Sequence, residues 1–397
     1  MPIYSKNGFA AIFLALMLLA VFTTSVCSQP VAKDSTNSKT LTEPPMVGPL
    51  VFNSQPIEFQ SQHTGKIYFA GAVSGLTFSQ TQAKPREQLS ELDFSNAQII
   101  VQKPEGKLQF YLQGGIYSIP VIGTSYLRAV QNINELYGPL PVANVAFAFS
   151  DNFSIRAGKL PTLIGPEPTF SFQNMNIQRG LLWNQEPAVS RGVQIDHESG
   201  ALKLSASIND GFYSGQYSWL VSAATFAFDG NNSMSLVAGS SVKSIKTNTF
   251  TTPAALNNAQ IYNLVYMHTE SRWKATSYFQ MIQVPARPDL GIQSSAESYG
   301  AAVLINYSLS KNVNIAGRLE HLSSTGSISS GAPDLLYGPG SRAWTLTLTP
   351  TYQDRRFFLR AEPSLVVVKN IAPGRGFGSN AMAKEQIRFL VEAGILF

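Results

Sequence analysis

Much of the chain consists of stretches in which apolar and polar residues alternate, the pattern of strands with one apolar face. In residues 343–352, for example, Trp344, Leu346 and Leu348 share one face and threonines occupy the positions between them. From residue 66 onward we count sixteen such stretches. They fall at residues 66–78, 93–101, 107–118, 142–149, 153–160, 190–198, 201–209, 217–228, 233–242, 260–268, 272–282, 299–308, 312–322, 343–352, 356–368 and 386–397.

The links between these stretches alternate strictly between short and long. The short links are turn-like, such as residues 199–200 and 353–355. The long links are polar and comprise residues 79–92, 119–141, 161–189, 210–216, 243–259, 283–298, 323–342 and 369–385. This alternation predicts an all-β protein, a transmembrane antiparallel up-and-down β-barrel with short periplasmic turns and long extracellular loops. About sixteen strands (14 to 18) leave a lumen wide enough for water.

A soluble sandwich or propeller is the alternative. Its outward faces would carry Leu202, Leu346 and Leu348, and its core would hold the charged and amide side chains at the alternate strand positions. Unpaired buried charges are costly, whereas a water-filled lumen accommodates them. The barrel is therefore the favoured architecture.

The last strand ends the chain on an aromatic residue, and its alternate positions are apolar. Among these are Phe389, Val391, Ile395 and Phe397. This strand resembles the C-terminal assembly signal of bacterial outer-membrane β-barrels. The resemblance implies recognition by the barrel-assembly machinery and a bacterial outer-membrane location.

The N-terminal part divides into two segments. Residues 1–28 have the charge, apolar run and small residues of a secretory signal peptide that is cleaved on export. Residues 29–64 are rich in proline and polar residues, which predicts a mostly irregular periplasmic segment, with a short ordered piece near residues 47–52. The barrel then occupies residues 65–397. Cleavage after Ser28 removes the single cysteine, which excludes disulfides and thiolate chemistry from the mature chain.

Composition agrees with a barrel rather than with a nucleic-acid-binding protein. Only 13% of the residues are charged, while 44% are hydrophobic. The net charge of +5 is small and dispersed along the chain, so it does not predict a basic surface that binds nucleic acid.

The link at residues 161–189 is the longest, and loops of this length are usually functional or disordered. In general porins the third long loop folds into the barrel and narrows the channel, so we expect the same here. The candidates for the constriction are Arg179, Trp183, Asn184, Gln185, Glu186 and Arg191. Charged and hydrogen-bonding groups at such a point would select among solutes. A salt bridge between Arg179 and Glu186 that merely pins the loop is an equal alternative.

Two sequence runs carry a closer resemblance. Residues 174–194 read NMNIQRGLLWNQEPAVSRGVQ, and residues 209–219 read NDGFYSGQYSW. Together they resemble the beta-barrel porin-2, OmpL-like family, most strongly over residues 150–230 and in general character over about 65–397. The resemblance implies an outer-membrane channel and brings no catalytic residues.

The strand pattern also assigns charged residues to the lumen wall. These candidates are Lys203, Lys274, Arg318, Glu320, Arg360, Glu362, Arg388 and Glu392. Cations outnumber anions among them, which predicts a slight anion preference. Aromatic residues near strand ends are expected to form girdles at the lipid headgroups. They are Trp219, Trp273, Trp344, Tyr217, Tyr307, Tyr352 and Phe397.

An enzyme is not expected. The four histidines are far apart, and no metal-binding pair, nucleophile elbow or phosphate loop is present. We therefore expect a Gram-negative porin without metal or cofactor, through which small hydrophilic solutes and ions diffuse passively. The alternative is a non-enzymatic surface barrel whose extracellular loops mediate adhesion or binding. The expected partners are outer-membrane lipids and the permeating solutes, and the general-porin resemblance implies a homotrimer.

Overall fold

The computed structural model describes residues 44–52, 56–62 and 65–397. The predicted signal peptide and most of the predicted periplasmic segment lie outside the described residues. No helix in the described ranges is long and apolar enough to cross a membrane.

Within these described ranges, seventeen antiparallel strands make up the fold. They are β1 Ile57–Ser61, β2 Gly65–Gln80, β3 Ser90–Lys103, β4 Leu108–Tyr117, β5 Val142–Ser150, β6 Phe153–Pro161, β7 Val189–Ser199, β8 Leu202–Asn209, β9 Trp219–Ala227, β10 Asn232–Ser241, β11 Gln260–Glu270, β12 Trp273–Val284, β13 Ala296–Ser308, β14 Val313–Ser324, β15 Arg342–Asp354, β16 Phe357–Lys369 and β17 Glu385–Leu396. Each strand from β2 to β17 pairs with the next, as an up-and-down meander does. The links are also as predicted, with short turns alternating with long loops. Two short α-helices, Ala129–Asn132 and Ala254–Asn257, lie in long loops.

The barrel closes where β17 pairs with β2, so sixteen strands form a ring and the predicted fold is confirmed. At the end of this seam Gly71 and Phe397 exchange two backbone hydrogen bonds of 2.7 and 3.0 Å. A Cβ atom on Gly71 would lie 2.4 Å from the ring of Phe397, so only glycine fits beside it. The other residues of the predicted assembly signal, Phe389, Val391 and Ile395, lie on the outward parity of β17.

Strand β1 was not predicted, because it lies within the segment whose composition indicated irregular structure. Its Ile57 pairs with Phe69 of β2, just beyond the point where β17 ends at Ala72. The short strand therefore extends the barrel wall by pairing along the same edge of β2 as the C-terminal strand.

The two faces of the wall differ as a membrane barrel requires. On β15, Leu346 and Leu348 are 57% and 49% exposed toward the lipid, whereas the inward-facing Thr347 and Thr349 are buried. Lipid tails offer no hydrogen-bond partners, so the outward side chains must be apolar. Alternation along each strand places them in this outer apolar band. The burial of the inner polar residues shows that protein covers much of the inner wall.

The predicted aromatic positions divide between the two faces. The rings of Trp273 and Tyr307 lie near the periplasmic turns with their centroids 4.4 Å apart, and Trp344 is exposed on the outer face. The girdle prediction is wrong for Trp219, which is 1% exposed and donates its indole N–H to the carbonyl of Asn257. Its side chain shares the inward parity of Val221 on β9 and packs against Phe212.

Candidate pore constriction

The third long loop, residues 162–188, folds into the barrel. Residues 169–183 are all buried, and the loop contains single turns at Ser171–Gln173 and Trp183–Gln185. Its side chains contact nearby strands on one side of the wall: Asn176 donates to Thr349 on β15, and Gln185 accepts a hydrogen bond from Ser298 on β13. We call residues 162–188 the inner loop.

Two carboxylates of the wall hold backbone N–H groups of the inner loop. Glu320 on β14 accepts hydrogen bonds of 2.8 Å from both Leu181 and Leu182. Glu362 on β16 accepts bonds from Ile177 and Gln178 in the same manner. Each carboxylate thus satisfies two adjacent backbone donors that would otherwise be unpaired in a buried loop, and charged acceptors make such bonds strong.

Arginines of the wall hold the carbonyl groups of the same loop. Arg360 donates to the carbonyls of Ser171, Asn174 and Met175 at 2.8 to 3.0 Å. Arg318 donates to the carbonyl of Gln178 at 2.7 Å. The guanidinium fork suits this task because it presents five donors in a fixed plane.

The buried wall arginines are also paired with carboxylates. Arg318 lies 2.8 Å from Glu167 of the inner loop, and both side chains are almost fully buried. Arg360 lies 3.4 Å from Glu392 on β17, and Arg388 lies 3.1 Å from Glu87 in the first long loop. Breaking such a pair on one side is costly, because it leaves a buried charge uncompensated. These charges therefore fix the inner loop in one position.

Six of the eight predicted lumen residues belong to this arrangement. They are Arg318, Glu320, Arg360, Glu362, Arg388 and Glu392, each at most 2% exposed. Lys203 and Lys274 share the inward parity of their strands, but they lie beside the periplasmic turns and away from the inner loop. Lys274 has no ion pair among the described residues.

The predicted constriction residues occupy different positions on the inner loop. Arg179 is fully buried and donates to loop carbonyls, including that of Asn176 at 2.8 Å. Trp183 packs in a cluster with Phe170 and Phe172, and Asn184 is partly exposed. The salt bridge between Arg179 and Glu186 is not formed. Instead, the carboxylate of Glu186 packs against Gly165, and neither of its oxygens has a hydrogen-bond partner in the described part of the chain.

Arg191 is not part of this group. It shares the outward parity of Val193, which is 40% exposed on the outer face of β7. Its guanidinium pairs with Asp210 at 2.7 Å and stacks 3.9 Å from the ring centroid of Tyr213. Arg191 thus ties the fourth long loop to the barrel rim.

A small cavity of about 10 Å³, roughly the size that holds one water molecule, lies between the inner loop and the wall formed by β7, β8 and β9. Its polar lining residues include Ser190, Gln194, Ser207 and Asn209. Below it, toward the periplasmic turns, the partly exposed Arg156 and Asp196 form an ion pair of 3.2 Å. Part of the accessible inner surface therefore lies on this side of the barrel, opposite the wall that holds the inner loop.

Sequence reasoning missed three contributors to the inner loop's position. Glu167 neutralises Arg318, and its only sequence signal is a carboxylate between Pro166 and Pro168 inside the longest link. Residues 119–124 also enter the barrel, where Ile122 donates to the carbonyl of Arg179 and Arg179 donates to that of Pro120. The third contributor is residues 44–52, which include the short ordered piece expected near residues 47–52 but whose contact with the inner loop was not predicted.

Long loops cover the extracellular side of this arrangement. Tyr337 donates to the carbonyl of Gly123 at 3.0 Å and packs edge-on against Phe377 at 5.7 Å. The ammonium of Lys84 lies 5.3 Å from the centroids of both rings. Burial lowers the pKa of Lys84 from its ordinary value of 10.5 to about 8, although Glu87 opposes this shift.

This environment predicts a pH-dependent stability contribution from Lys84. Between pH 8 and 10.5 the folded state loses this proton while the unfolded state still binds it, so stability rises with pH in that window. Relative to Lys84→Met, the wild-type free energy of unfolding should rise by on the order of 2 kcal/mol across it. Guanidinium titrations of both refolded proteins at pH 7.5, 9 and 10.5 measure this difference. A difference that does not change with pH would contradict the expectation.

Among the described residues no group of three or more His, Asp, Glu or Cys side chains is placed to hold a metal ion.

Comparisons with known proteins show which family and which solved structures this barrel resembles. A family model described as beta-barrel porin-2, OmpL-like matches residues 66–397. Comparison with curated proteins gives no significant match. Among solved structures, the anion-selective porin from Comamonas acidovorans superposes with a TM-score of 0.57 at 10% identity, over 83% of this chain and 99% of that one.

Two further solved structures are similar. The outer-membrane channel DcaP of Acinetobacter baumannii has a TM-score of 0.55 at 11% identity, over 85% of this chain and 99% of that one. Salmonella typhi OmpF, in complex with daunomycin, has a TM-score of 0.55 at 11% identity, over 86% of this chain and 100% of that one. At these identities the superpositions show the shared barrel fold, and the matched family model covers nearly all of the barrel.

Proposed function

Because the chain belongs to the beta-barrel porin-2, OmpL-like family and is a porin of the bacterial outer membrane, we propose that small hydrophilic solutes and ions diffuse through it passively. The inner loop is the constriction that limits their size. The protein acts without chemistry of its own, so it is not an enzyme. Selection instead depends on pore radius and on the charges that line the accessible wall.

The observation that carries this proposal is the inner loop, which wall charges hold inside a sixteen-stranded barrel. The charges that grip the loop are buried, so they set its position rather than meet the solute. Solutes then pass on the side of the lumen formed by β6 to β9, where the side chains of Arg156 and Asp196 are partly exposed. Swelling of liposomes with neutral sugars of increasing size tests this route: uptake should fall off sharply with sugar radius. Equal exclusion of every sugar would contradict it.

The export and assembly steps follow from the two ends of the chain. Residues 1–28 act as a cleaved signal peptide, and residues 29–64 approach the barrel from the periplasm, with residues 44–52 and strand β1 already in contact with the barrel. The C-terminal strand supplies the signal for the assembly machinery through Phe389, Val391, Ile395 and Phe397. The exposed apolar band contacts outer-membrane lipids, and a homotrimer is the proposed assembly.

A slight anion preference belongs to the same proposal, and Lys274 is one of its sources. The large buried charges are paired around the inner loop, whereas Lys274 lies on the inward parity of β12 without an ion pair in the described ranges. An unpaired cation near the mouth attracts anions and repels cations. Arg156 is balanced by Asp196, so it adds less.

Reversing the charge at this position should therefore reverse the weak preference. For Lys274→Glu, the reversal potential in a tenfold KCl gradient is expected to move toward cation selectivity by about 10 mV or more at low salt, where screening is weak. Arg272→Glu is the matched control, because Arg272 lies two residues away in the exposed turn between β11 and β12. Equal shifts in both variants would exclude a specific role for Lys274.

A further inference from the structure

Residues 44–52, which we call the N-terminal strap, pack against the inner loop inside the barrel. Val47 and Gly48 both donate backbone hydrogen bonds of 2.9 Å to the carbonyl of Gln173. The side chain of Gln173 in turn donates to the carbonyl of Pro45 at 3.3 Å. Three hydrogen bonds thus connect the strap to one turn of the inner loop.

Apolar contacts reinforce these bonds. Leu50 is fully buried in the cluster that contains Phe170, Phe172 and Trp183 of the inner loop. Phe52 meets Phe172 edge-on with 5.9 Å between ring centroids. Burying a leucine of this kind contributes about 1.5 to 3 kcal/mol. The strap therefore has a folded position and is not merely a passing chain.

The strap approaches from the periplasmic side. The backbone of Val51 exchanges two hydrogen bonds, of 3.0 and 2.7 Å, with the side chain of Gln353. Gln353 lies at the end of β15 next to its short turn to β16, and short turns face the periplasm. The barrel wall thus contacts the inner loop laterally, and the strap contacts it from the periplasmic side.

Gly48 is the tightest point of this contact. A Cβ atom there would lie 2.1 Å from the carbonyl oxygen of Asn174 and 2.9 Å from the backbone nitrogen of Met175. Both neighbours are backbone atoms, which cannot rotate away as a flexible side chain could. Arg360 donates hydrogen bonds to the carbonyls of the same two residues. Any larger residue at position 48 must move either the strap or the inner loop.

We propose that the N-terminal strap is a positioning element of the pore: it occupies part of the periplasmic mouth and clamps the inner loop, and so it sets the conductance and the steadiness of the open channel. This inference rests on the proposed function, because it concerns the same conducting pathway. It gives residues 44–52, which precede the barrel strands, a role in permeation.

Planar-bilayer recordings of three variants of the refolded mature chain test the proposal. In Gly48→Leu the strap is displaced by one side chain, and in the second variant residues 44–52 are replaced by nine Gly and Ser residues. In the control, Val51→Ser, the altered side chain is 61% exposed and the backbone contact to Gln353 is kept. Unheated gel electrophoresis in SDS verifies that each barrel has folded.

The first two variants should show brief substates in place of steady steps, and the Gly-Ser replacement should raise mean conductance roughly twofold as the mouth is cleared. Val51→Ser should match the wild type. Steady, unchanged steps in both strap variants, with a conducting wild type, would overturn the strap proposal alone. A wild type and variants that are all silent would instead overturn the proposed function. If Gly48→Leu fails to fold, the Gly-Ser replacement, which keeps glycine at position 48 and so introduces no clash there, decides the question.

Discussion

Replacing residues 162–188 with a short Gly-Ser link is expected to raise single-channel conductance by about threefold or more, because an unobstructed sixteen-stranded barrel encloses a wide aqueous channel. The strands stay paired around the whole ring without this loop, so the wall itself should persist. The wall charges that now grip the loop would be hydrated by the water that replaces it. Planar-bilayer conductance in 1 M KCl measures the change directly.

A matched deletion separates the inner loop from loops in general. The seventh long loop, residues 325–341, covers the extracellular side and can be shortened in the same way. Its removal should raise conductance much less, since it leaves the inner loop gripped by Glu320, Glu362 and Arg360. If loss of residues 162–188 leaves conductance unchanged, the loop is not the constriction, and the adhesive surface barrel becomes the better interpretation.

Arg360→Ala should be the most disruptive single substitution in the barrel interior. It removes three hydrogen bonds to inner-loop carbonyls and leaves the buried Glu392 without its ionic partner. Breaking one side of a buried pair costs about 3 to 5 kcal/mol. We expect that loss in guanidinium unfolding, together with a conductance that fluctuates because the inner loop is no longer held.

The control for this substitution is Arg375→Ala. Arg375 also pairs with a carboxylate, Asp334, at 2.8 Å, but its side chain is 56% exposed. Exposed pairs contribute about 0 to 1 kcal/mol, so this variant should unfold close to the wild type. Similar losses in both variants would show that the buried pair is no more important than a surface pair. The double variant Arg360→Ala with Glu392→Gln should recover part of the stability, since no carboxylate charge then remains unpaired.

Alternation along the chain was enough to predict the fold. All sixteen predicted strands are present, and each end falls within three residues of the observed one. The reason is physical: in a barrel with one lipid face, every strand must alternate, and the loop lengths follow from which side of the membrane each link occupies. Strand β1 was not predicted because the composition of the chain does not change clearly where β1 begins.

The state of the lumen could be predicted only in part. Parity placed Arg318, Arg360 and Arg388 inside, but parity does not tell whether an inward residue meets water or protein. That depends on contacts between distant positions, such as the bond from Ser171 to Glu392 across 221 residues. Arg191 shows the converse difficulty, since it follows the loop directly in sequence yet points outward.

Charged residues of opposite sign on the inward face of a strand fit two structures: an open channel lined with water, or a wall that binds a loop. Arg318 and Glu320, or Arg360 and Glu362, are two residues apart and so face the same side. An open channel would leave such residues hydrated, whereas here the cations hold carbonyls and the anions hold N–H groups. A loop backbone offers both kinds of partner, so a wall of mixed sign is suited to holding it.

Single-channel conductance of the refolded mature chain, recorded in KCl with reversal potentials, is the most direct test of a porin whose inner loop narrows but does not close the pore. The account predicts steady, ohmic steps smaller than those of the variant that lacks residues 162–188, with a reversal potential slightly toward anions. Silence from a well-folded wild-type barrel would contradict it, and so would wild-type steps as large as those of the loop-deleted variant.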